Sequence, residues 1–418
     1  MSRFCTIAVV ALFIAQAVLA TDYTYTGGGT GTDLWNAAGS WGGAGYPNSV
    51  TDTAYFTGAV AQNVRTDNSG PFKVGNITLG NGLGRTPVIQ IGHSRGDVGL
   101  EIAAGATLTK KDNAHDQIFC NLQLDGATTF NVTPPLGAVV LSTNGITGPG
   151  GIIKDGTGVM AFEAYPNTYT GQTWIRNGKI VLSGDDGMQM IGTGGLKISA
   201  GYLQWWTGNH IADTAPVELG GNCELNPNGY AESVGALTLS GNAIGWGKVG
   251  ANPGFHFANS SDATWTPGAM LTLKVWDNTT AAVTPKYYFG TDSTGLTATQ
   301  LAQVQFADDS AGTSVKFYSA MFDPANPGLL IPVVHVTTFW SADFNHDLVV
   351  SFKDYIILEG NFGKSNATNA MGDADGDGLV TFKDYIALEG QFGKTSTPEP
   401  ATMCLLAAGG LALLRRKA

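Results

Sequence analysis

The chain has 418 residues, only 13% of them charged, and its 58 glycines are about twice the usual share. A formal net charge of −11, without a long basic cluster, argues against nucleic acid as a partner. The length allows more than one structural unit, and many glycines with few charges predict a mainly β chain with many tight turns.

Residues 1–20 have the three parts of a secretory signal peptide. Arg3 supplies the positive end, Ile7 to Ala17 the apolar stretch, and Val18-Leu19-Ala20 a small-residue cleavage site. An uncleaved membrane anchor is the alternative, although the apolar stretch is short for a membrane span. We therefore expect an exported protein that is secreted or held at the cell surface.

Residues 21–340 form the body, in which short apolar alternations are broken by Gly, Asn and Asp. Clear predicted strands are Val74–Leu79, Leu196–Ile198, Val217–Leu219 and Leu237–Leu239. Thr297 to Gln305 predicts one short helix. Many short strands fit either a β-sandwich or a stacked β-solenoid. The body also contains Cys120 and Cys223, which either form a disulfide in an oxidising compartment or are separately buried thiols.

The stretch from Gly150 to Gly184 favours the solenoid. A glycine turn leads into the strand Val159–Phe162, and the corner Asn167–Gly171, with the sequence Asn-Thr-Tyr-Thr-Gly, leads into a second strand. This order resembles the autotransporter-associated β-strand repeat, and Trp35–Phe56 and Tyr288–Phe306 are similar to the openings and closing segments of the same surface proteins. The resemblance implies that the body is a parallel β-helix.

Residues 341–396 contain a duplication with an offset of 30 residues, in which 14 of 24 aligned positions are identical. Each copy places carboxylate or amide oxygens at loop positions one, three, five and twelve, with a backbone carbonyl at seven and a hydroxyl at nine. This is the oxygen-rich spacing that wraps one loop around one calcium ion. The expected ligands are Asp343, Asn345, Asp347, Val349, Ser351 and Asp354 in the first loop, and Asp373, Asp375, Asp377, Leu379, Thr381 and Asp384 in the second. The sequence therefore predicts two calcium ions.

The loop-plus-helix duplication, with Asp at position twelve, resembles the dockerin type I module. That resemblance implies a small α-helical, calcium-binding module that docks to a cohesin-like protein. Position six, the sharp turn of the loop, is Gly378 in the second copy and Leu348 in the first. A side chain at a left-handed turn costs roughly 1 kcal/mol, so the second site should bind calcium more tightly.

The resemblance also implies partner contacts at loop positions ten and eleven. Those positions are Phe352 and Lys353 in the first copy, and Phe382 and Lys383 in the second. The alternative is that the two phenylalanines are core residues, each sharing a buried helix face with the isoleucine four residues later, and we expect this core role. Gly360 and Gly390 predict the C-terminal caps of the two helices.

Residues 397–418 have a three-part layout. Pro398-Glu399-Pro400 precedes an apolar run from Ala401 to Leu414, and Arg415-Arg416-Lys417 follows it. This layout resembles the PEP-CTERM sorting signal, which implies retention in the inner membrane, processing by an exosortase, and association with extracellular polysaccharide matrices. A plain C-terminal membrane anchor is the alternative.

Catalytic residues are not evident in the sequence. His115 and Asp116 form a weak pair that we expect at the surface, and either Trp205 or Trp206 must face outward if the segment is a strand. The leading hypothesis is a non-catalytic cell-surface or matrix protein that docks through its calcium module to a cohesin-like protein or an extracellular polysaccharide. A carbohydrate-active enzyme (a glycoside hydrolase or polysaccharide lyase) or sugar-binding component of polysaccharide breakdown, and an adhesin stalk, are the alternatives.

Overall fold

The structure, a computed structural model, describes residues 19–27, 33–43, 45–66, 70–82, 88–92, 99–141, 145–163, 165–247, 254–274, 285–308, 316–333, 340–345, 349–365 and 367–394. The predicted signal peptide, apart from its last two residues, and the predicted sorting tail lie outside them. The chain divides into two compact units, residues 1–333 and 334–418.

The first unit is built from short strands. They are β1 (Asp22–Thr24), β2 (Ser49–Phe56), β3 (Gln62–Val64), β4 (Phe72–Leu79), β5 (Ile89–Ile91), β6 (Leu100–Ile102), β7 (Thr107–Lys110), β8 (His115–Ile118), β9 (Leu122–Leu124), β10 (Thr128–Val132), β11 (Ala138–Leu141), β12 (Ile146–Thr147), β13 (Ile152–Asp155), β14 (Val159–Phe162) and β15 (Thr173–Ile175). The chain continues with β16 (Lys179–Leu182), β17 (Leu196–Ile198), β18 (Tyr202–Trp205), β19 (Val217–Leu219), β20 (Cys223–Asn226), β21 (Glu232–Val234), β22 (Leu237–Leu239), β23 (Ala243–Trp246), β24 (Phe255–Phe257), β25 (Leu271–Lys274), β26 (Tyr287–Phe289), the short helix α1 (Ala298–Leu301), β27 (Val304–Asp308), β28 (Lys316–Phe322) and β29 (Leu330–Pro332).

These strands stack into a parallel β-solenoid, which confirms the expectation of a β-helical body and excludes the β-sandwich. One face is a ladder from β3 through β5, β8, β11, β14, β16, β18, β20, β23 and β25 to β27. A second face runs from β7 through β10, β13, β15, β17 and β19 to β22. Strands β6, β9 and β12 pair with one another and join the sheet of the second face through β4. Strands β21, β24 and β26 form a separate three-stranded parallel sheet.

The length of each coil follows from matched positions on the second face. Register partners along it are Thr128, Ile152, Thr173, Leu196, Val217 and Leu237, which lie 20 to 24 residues apart. In strands such as β17 and β19 the first and third residues are buried and the middle one is half-buried. Alternate side chains therefore fill one continuous core, as the predicted strand periodicity requires. All four strands singled out in the sequence are present, and the predicted short helix is α1, shorter than expected because β27 begins at Val304.

The Asn-Thr-Tyr-Thr-Gly corner joins three consecutive coils. The side-chain oxygen of Asn167 accepts a hydrogen bond from the Ile146 backbone N–H at 2.8 Å, and its amide donates to the Met190 carbonyl at 2.7 Å. Tyr169 is fully buried, with its hydroxyl 2.5 Å from the Thr173 hydroxyl. Because a buried amide must have its hydrogen bonds satisfied, an asparagine fits this turn better than an apolar residue of similar size.

Both ends of the solenoid are closed by side chains or strands that pair differently. At the start, Tyr25, Trp35, Trp41, Phe56 and Phe72 form a buried aromatic cluster. At the far end, β28 pairs antiparallel with both β27 and β29, which ends the parallel ladder. Covering the terminal coils in this way prevents their apolar interior from facing water.

The predicted surface location of the His115–Asp116 pair is half wrong. His115 is exposed, but Asp116 is fully buried, where its carboxylate forms an ion pair with Lys110 at 2.9 Å and accepts a hydrogen bond from the Ile89 N–H at 2.7 Å. Lys110 also pairs with the buried Asp112. Adjacent residues of a strand point to opposite sides, so one carboxylate enters the interior and needs a cation there.

The solenoid also answers two questions left open by the sequence: whether the two cysteines form a disulfide, and which of the two adjacent tryptophans faces outward. Cys120 and Cys223 are buried and are not joined by a disulfide, so they are separate thiols. Trp205 is fully buried at the end of β18, whereas Trp206 is 55% exposed. The strand alternation therefore places one tryptophan on each side, as expected.

Among its described residues, the second unit contains two α-helices of equal length, α2 (Phe352–Asn361) and α3 (Phe382–Gln391), and a short 3-10 helix between them, Asn369–Met371. The two α-helices begin 30 residues apart, at equivalent positions of the duplicated sequence. The Gly393 N–H donates to the Val350 carbonyl, and the Gly363 N–H donates to the Val380 carbonyl, at 2.9 and 2.8 Å. The two halves therefore exchange equivalent backbone hydrogen bonds, and the sequence duplication is also a structural one.

Candidate functional site

The second predicted calcium loop brings three carboxylates together. Oxygen atoms of Asp373, Asp375 and Asp377 all lie within 4.8 Å of one another. Asp373 is buried and the other two are exposed. The structure therefore brings together three of the six residues that the sequence predicts as ligands in this loop.

Backbone N–H groups of the loop hold the three carboxylates in place. The two oxygens of Asp373 accept from Gly376 and Gly378 at 2.8 and 2.9 Å, and Asp375 accepts from the Asp377 N–H at 3.1 Å. Gly378 has a φ of +83°, the left-handed turn that the sequence predicts at position six. The loop is therefore wound so that its acidic side chains converge.

The carboxylate at position twelve fixes the end of the loop to the start of α3. One oxygen of Asp384 accepts from the Ala374 and Asp375 N–H groups at 2.7 and 3.2 Å, and the other accepts from the Thr381 N–H at 2.7 Å. Burial alone would raise the pKa of Asp384, but these N–H donors hold that pKa below its ordinary value. Asp384 is therefore a buried carboxylate of the module. It is not one of the three carboxylates whose oxygens lie within 4.8 Å of one another.

The first loop repeats this arrangement where the structure describes it. Asp354 accepts from the N–H groups of Phe344, Asn345 and Ser351 at 2.8, 3.1 and 2.9 Å. Asp343 is buried like its counterpart Asp373. Asp347, the predicted ligand at position five, and the neighbouring Leu348 lie outside the described residues. Among the remaining predicted ligands, Val349 and Leu379 are exposed, and Ser351 and Thr381 are the N-caps of α2 and α3.

Both helices begin with the same capping arrangement. The hydroxyls of Ser351 and Thr381 accept from the N–H of Lys353 and Lys383, each at 3.3 Å. Asp354 and Asp384 complete the capping boxes from position N3. The same carboxylate therefore closes the loop and caps the helix that follows it.

The predicted C-caps are wrong. Gly360 and Gly390 lie inside α2 and α3, which continue to Asn361 and Gln391. The left-handed glycines are Gly363 and Gly393, with φ of +81° and +77°. Each copy carries two glycines three residues apart, and the sequence alone did not distinguish the helical glycine from the turn glycine.

The expected core role of the two duplicated phenylalanines is also wrong. Phe352 and Phe382 are each 64% exposed, and Ile356 and Ile386 are exposed beside them. The core of the module is instead formed by Ala342, Phe344, Val350, Leu358, Val380 and Leu388. The spacing of four residues correctly predicted that each phenylalanine shares a helix face with the isoleucine that follows it, but that face is exposed to solvent. Lys353 and Lys383 are exposed as well, so all four predicted partner-binding residues are accessible.

This exposed face contains two grooves of similar size. One, of about 380 Å³, is lined by Phe352, Tyr355, Tyr385, Leu388, Glu389 and Phe392. The other, of about 390 Å³, is lined by Tyr355, Leu358, Glu359, Phe362, Phe382 and Tyr385. Each combines a phenylalanine from the start of one helix with a glutamate near the end of the other. The two glutamates, Phe362 and Phe392 were not among the predicted partner-binding residues, although their identity at the 30-residue offset is a signal that could have identified them.

The body contains a buried acidic group that the sequence analysis also missed. Glu232 accepts hydrogen bonds from the Trp205 indole N–H at 2.6 Å and from the His210 backbone N–H at 2.8 Å. Burial raises its pKa to about 7, and burial lowers the pKa of the neighbouring His210. Glu232 is 1% exposed. This buried network therefore ties adjacent coils together.

Comparison with known proteins identifies the tail. Residues 396–417 match the family model of the PEP-CTERM protein-sorting motif. The predicted sorting signal is therefore confirmed, and the motif indicates an exported protein that is processed by an exosortase. No curated protein and no solved structure matches the chain. Within the described ranges, none of the helices has the length and apolar character needed to span a membrane.

Proposed function

We propose that this exported protein binds two calcium ions through residues 341–396 and docks through that module to a cohesin-like protein, with the solenoid as a non-catalytic surface or matrix body. The single observation that carries the proposal is the convergence of Asp373, Asp375 and Asp377 within 4.8 Å in a loop that is duplicated in the same unit. An extracellular polysaccharide is the second partner class that the sorting motif suggests.

The chemistry of the donor set favours calcium. The loop offers carboxylates, a backbone carbonyl and a hydroxyl, which are hard oxygen ligands that suit calcium better than softer metals. Three carboxylates this close repel one another, and a divalent cation removes that repulsion. The Lys383 ammonium is 3.6 Å from Asp377, but both groups are partly exposed, so this ion pair offsets little of the repulsion.

The exposed helix face supports docking. Phe352 stacks on Tyr355 at 5.5 Å, and Phe382 stacks on Tyr385 at 5.6 Å, with nearly equal interplanar angles. Aromatic rings held in this way supply large contact areas at low entropic cost. The lysine after each phenylalanine adds a positive charge to an otherwise acidic module, which suits a partner with acidic groups around an apolar patch.

Calcium titration calorimetry on the full chain tests this proposal. We expect two ions per chain, with the second loop binding more tightly because Gly378 occupies its turn. Asp377→Ala should remove the tighter site and leave one weaker site, and Asp347→Ala should remove the weaker one.

The matched control is Asp262→Ala, which deletes an exposed carboxylate in the solenoid and should leave both sites unchanged. The absence of calcium-dependent heat, or unchanged binding in Asp377→Ala, would contradict the calcium assignment. Equal affinities in the two loops would contradict only the ranking.

A further inference from the structure

The two grooves on the exposed face of the C-terminal module have the same composition. The Glu389 groove, of about 380 Å³, is otherwise lined by Phe352, Tyr355, Tyr385, Leu388 and Phe392. The Glu359 groove, of about 390 Å³, is otherwise lined by Tyr355, Leu358, Phe362, Phe382 and Tyr385. Each groove therefore combines four aromatic rings with one carboxylate.

The grooves are copies of one another. The 30-residue offset of the sequence relates Phe352 to Phe382 and Glu359 to Glu389, and it relates the other lining residues in the same way. The four phenylalanines that line the grooves are between 54% and 64% exposed. A ligand that fits one groove therefore fits the other.

The aromatic rings of the two grooves contact one another. Phe352 stacks on Tyr355 with 5.5 Å between the ring centroids, and Phe382 stacks on Tyr385 at 5.6 Å. The two tyrosine rings meet edge to face at 6.2 Å. Several rings around one small space present the negative potential of their π faces to it, and that potential attracts a cation.

The carboxylates of the two grooves are not used by cations of the chain. Glu359 and Glu389 are exposed, and they take part in none of the ion pairs between described residues. Elsewhere the chain supplies its own cations to aromatic rings, as where Lys394 lies 4.2 Å from the Trp340 ring. Among the described residues, these cation–ring contacts involve none of the rings of the two grooves. Each groove therefore offers a carboxylate and aromatic rings to a cation from outside the chain.

We propose that each groove binds an arginine side chain of the protein partner that docks on this module. A guanidinium is planar, so it stacks on an aromatic ring, and it can donate two parallel hydrogen bonds to one carboxylate. Volumes of 380 and 390 Å³ lie toward the lower end of the range for ligand pockets, which suits a single side chain. The inference rests on the proposed docking function and names the chemistry that the partner presents.

Other ligands fit the grooves less well. Calcium needs six to eight oxygen ligands, and each groove has one carboxylate. An anionic group would be repelled by that carboxylate. Lys353 and Lys383 are not among the residues that line the grooves, so one partner surface can present acidic groups to these lysines and arginines to the grooves.

NMR titration of the calcium-loaded full chain, with isotope-labelled phenylalanine rings, tests the proposal. The probe is N-acetyl-arginine amide, and N-acetyl-citrulline amide is a neutral comparison of nearly the same shape. The arginine probe should shift the ring signals of Phe352 and Phe392 in one groove and of Phe362 and Phe382 in the other. The two affinities should be similar because the grooves are copies, and the citrulline probe should bind more weakly to both.

Substitution of one glutamate at a time makes each groove the control for the other. Glu389→Gln should weaken binding of the arginine probe in its own groove at least about threefold, because it removes the charge and keeps the size of the side chain. It should leave the Glu359 groove unchanged, and Glu359→Gln should give the reverse result. Asp262→Asn removes the same charge from an exposed position of the solenoid and should leave both affinities unchanged.

Three results would overturn the proposal: the citrulline probe binds as tightly as the arginine probe, the arginine probe shifts none of the four rings, or both glutamine variants bind like the parent chain. An equal loss in both grooves from either glutamine variant would also overturn it, since it would show a general effect of charge. Calcium stoichiometry is measured on the same samples. A chain that binds the arginine probe but no calcium would contradict the calcium assignment and support the grooves as arginine sites.

Discussion

The solenoid body and the C-terminal module use repetition for different purposes. In the body, successive coils bury alternate residues in one continuous core that runs from Tyr25 to Leu330. In the module, two copies of a loop and helix share a core of six buried residues. Each copy leaves four large apolar side chains exposed, at equivalent positions in the two copies. A coil stabilises its neighbours by packing, whereas the module has a small core and an acidic loop whose carboxylates lie close together. We therefore expect the body to be stable by itself and the module to depend on calcium.

The largest contrast should come from the same substitution made once in each unit. Phe130 in β10 is 1% exposed, and Phe382 in α3 is 64% exposed. Phe130→Ala should lower the free energy of unfolding of the body by about 3–5 kcal/mol, because it removes buried area and leaves a cavity. Phe382→Ala should change the free energy of unfolding of the module by less than about 0.5 kcal/mol. Denaturant unfolding of the calcium-loaded full chain measures both, and equal effects would show that the assigned burial is incorrect.

A second contrast is the pH dependence of the body, which follows from Glu232. Burial raises the pKa of this carboxyl from 4.5 to about 7. Between these values the folded chain holds the proton and the unfolded chain does not, so stability falls as pH rises through that window, by about 3 kcal/mol in total. Glu232→Gln should remove this dependence. The lowered pKa of His210 gives a slope of opposite sign, so the comparison is the difference between variant and parent.

Thermal unfolding at a series of pH values measures this difference. The matched control is Glu218→Gln, because Glu218 is partly exposed and pairs with Lys197 at 2.9 Å. It should change stability by less than about 1 kcal/mol. An unchanged pH profile in Glu232→Gln would contradict the assignment of the slope to this carboxyl.

The smallest contrast concerns glycines in the two units. Gly390 lies inside α3, and an added Cβ there would meet no atom within 4 Å. Gly390→Ala should therefore stabilise the module by about 1 kcal/mol. Gly393→Ala should destabilise it by a similar amount, because a φ of +77° disfavours alanine. Thermal unfolding of the calcium-loaded chain separates the two signs, and stabilisation by Gly393→Ala would contradict the reassigned helix end.

Glycine in the body has a different role, which Gly151 illustrates. A Cβ at this position would lie 2.4 Å from the carbonyl oxygen of Gln172 in the next coil. The backbones approach too closely for a side chain, so Gly151→Ala should destabilise the body. This close approach also explains why the glycine-rich stretch predicted the coil correctly.

The sequence predicted features that depend on local periodicity or on duplication. Alternating apolar residues identified strands such as β17 and β19, and the 30-residue offset identified α2, α3 and the acidic loops. The sequence did not predict which side of α2 faces solvent. That side depends on how the two halves of the module pack on each other, and Phe352 lies on the side left uncovered. The burial of Asp116 and Glu232 was also missed. Their cation and N–H partners come from residues separated in sequence by up to 27 positions, such as Ile89 and Trp205.

Hydrogen exchange of the full chain, with calcium and with a chelator, tests the central claim most directly. We predict that calcium protects amides of residues 341–394 strongly, above all those that donate to Asp373 and Asp384, and leaves the amides of residues 21–333 unchanged. Protection of the module that is the same with and without calcium, or calcium-dependent protection spread over the solenoid, would contradict it.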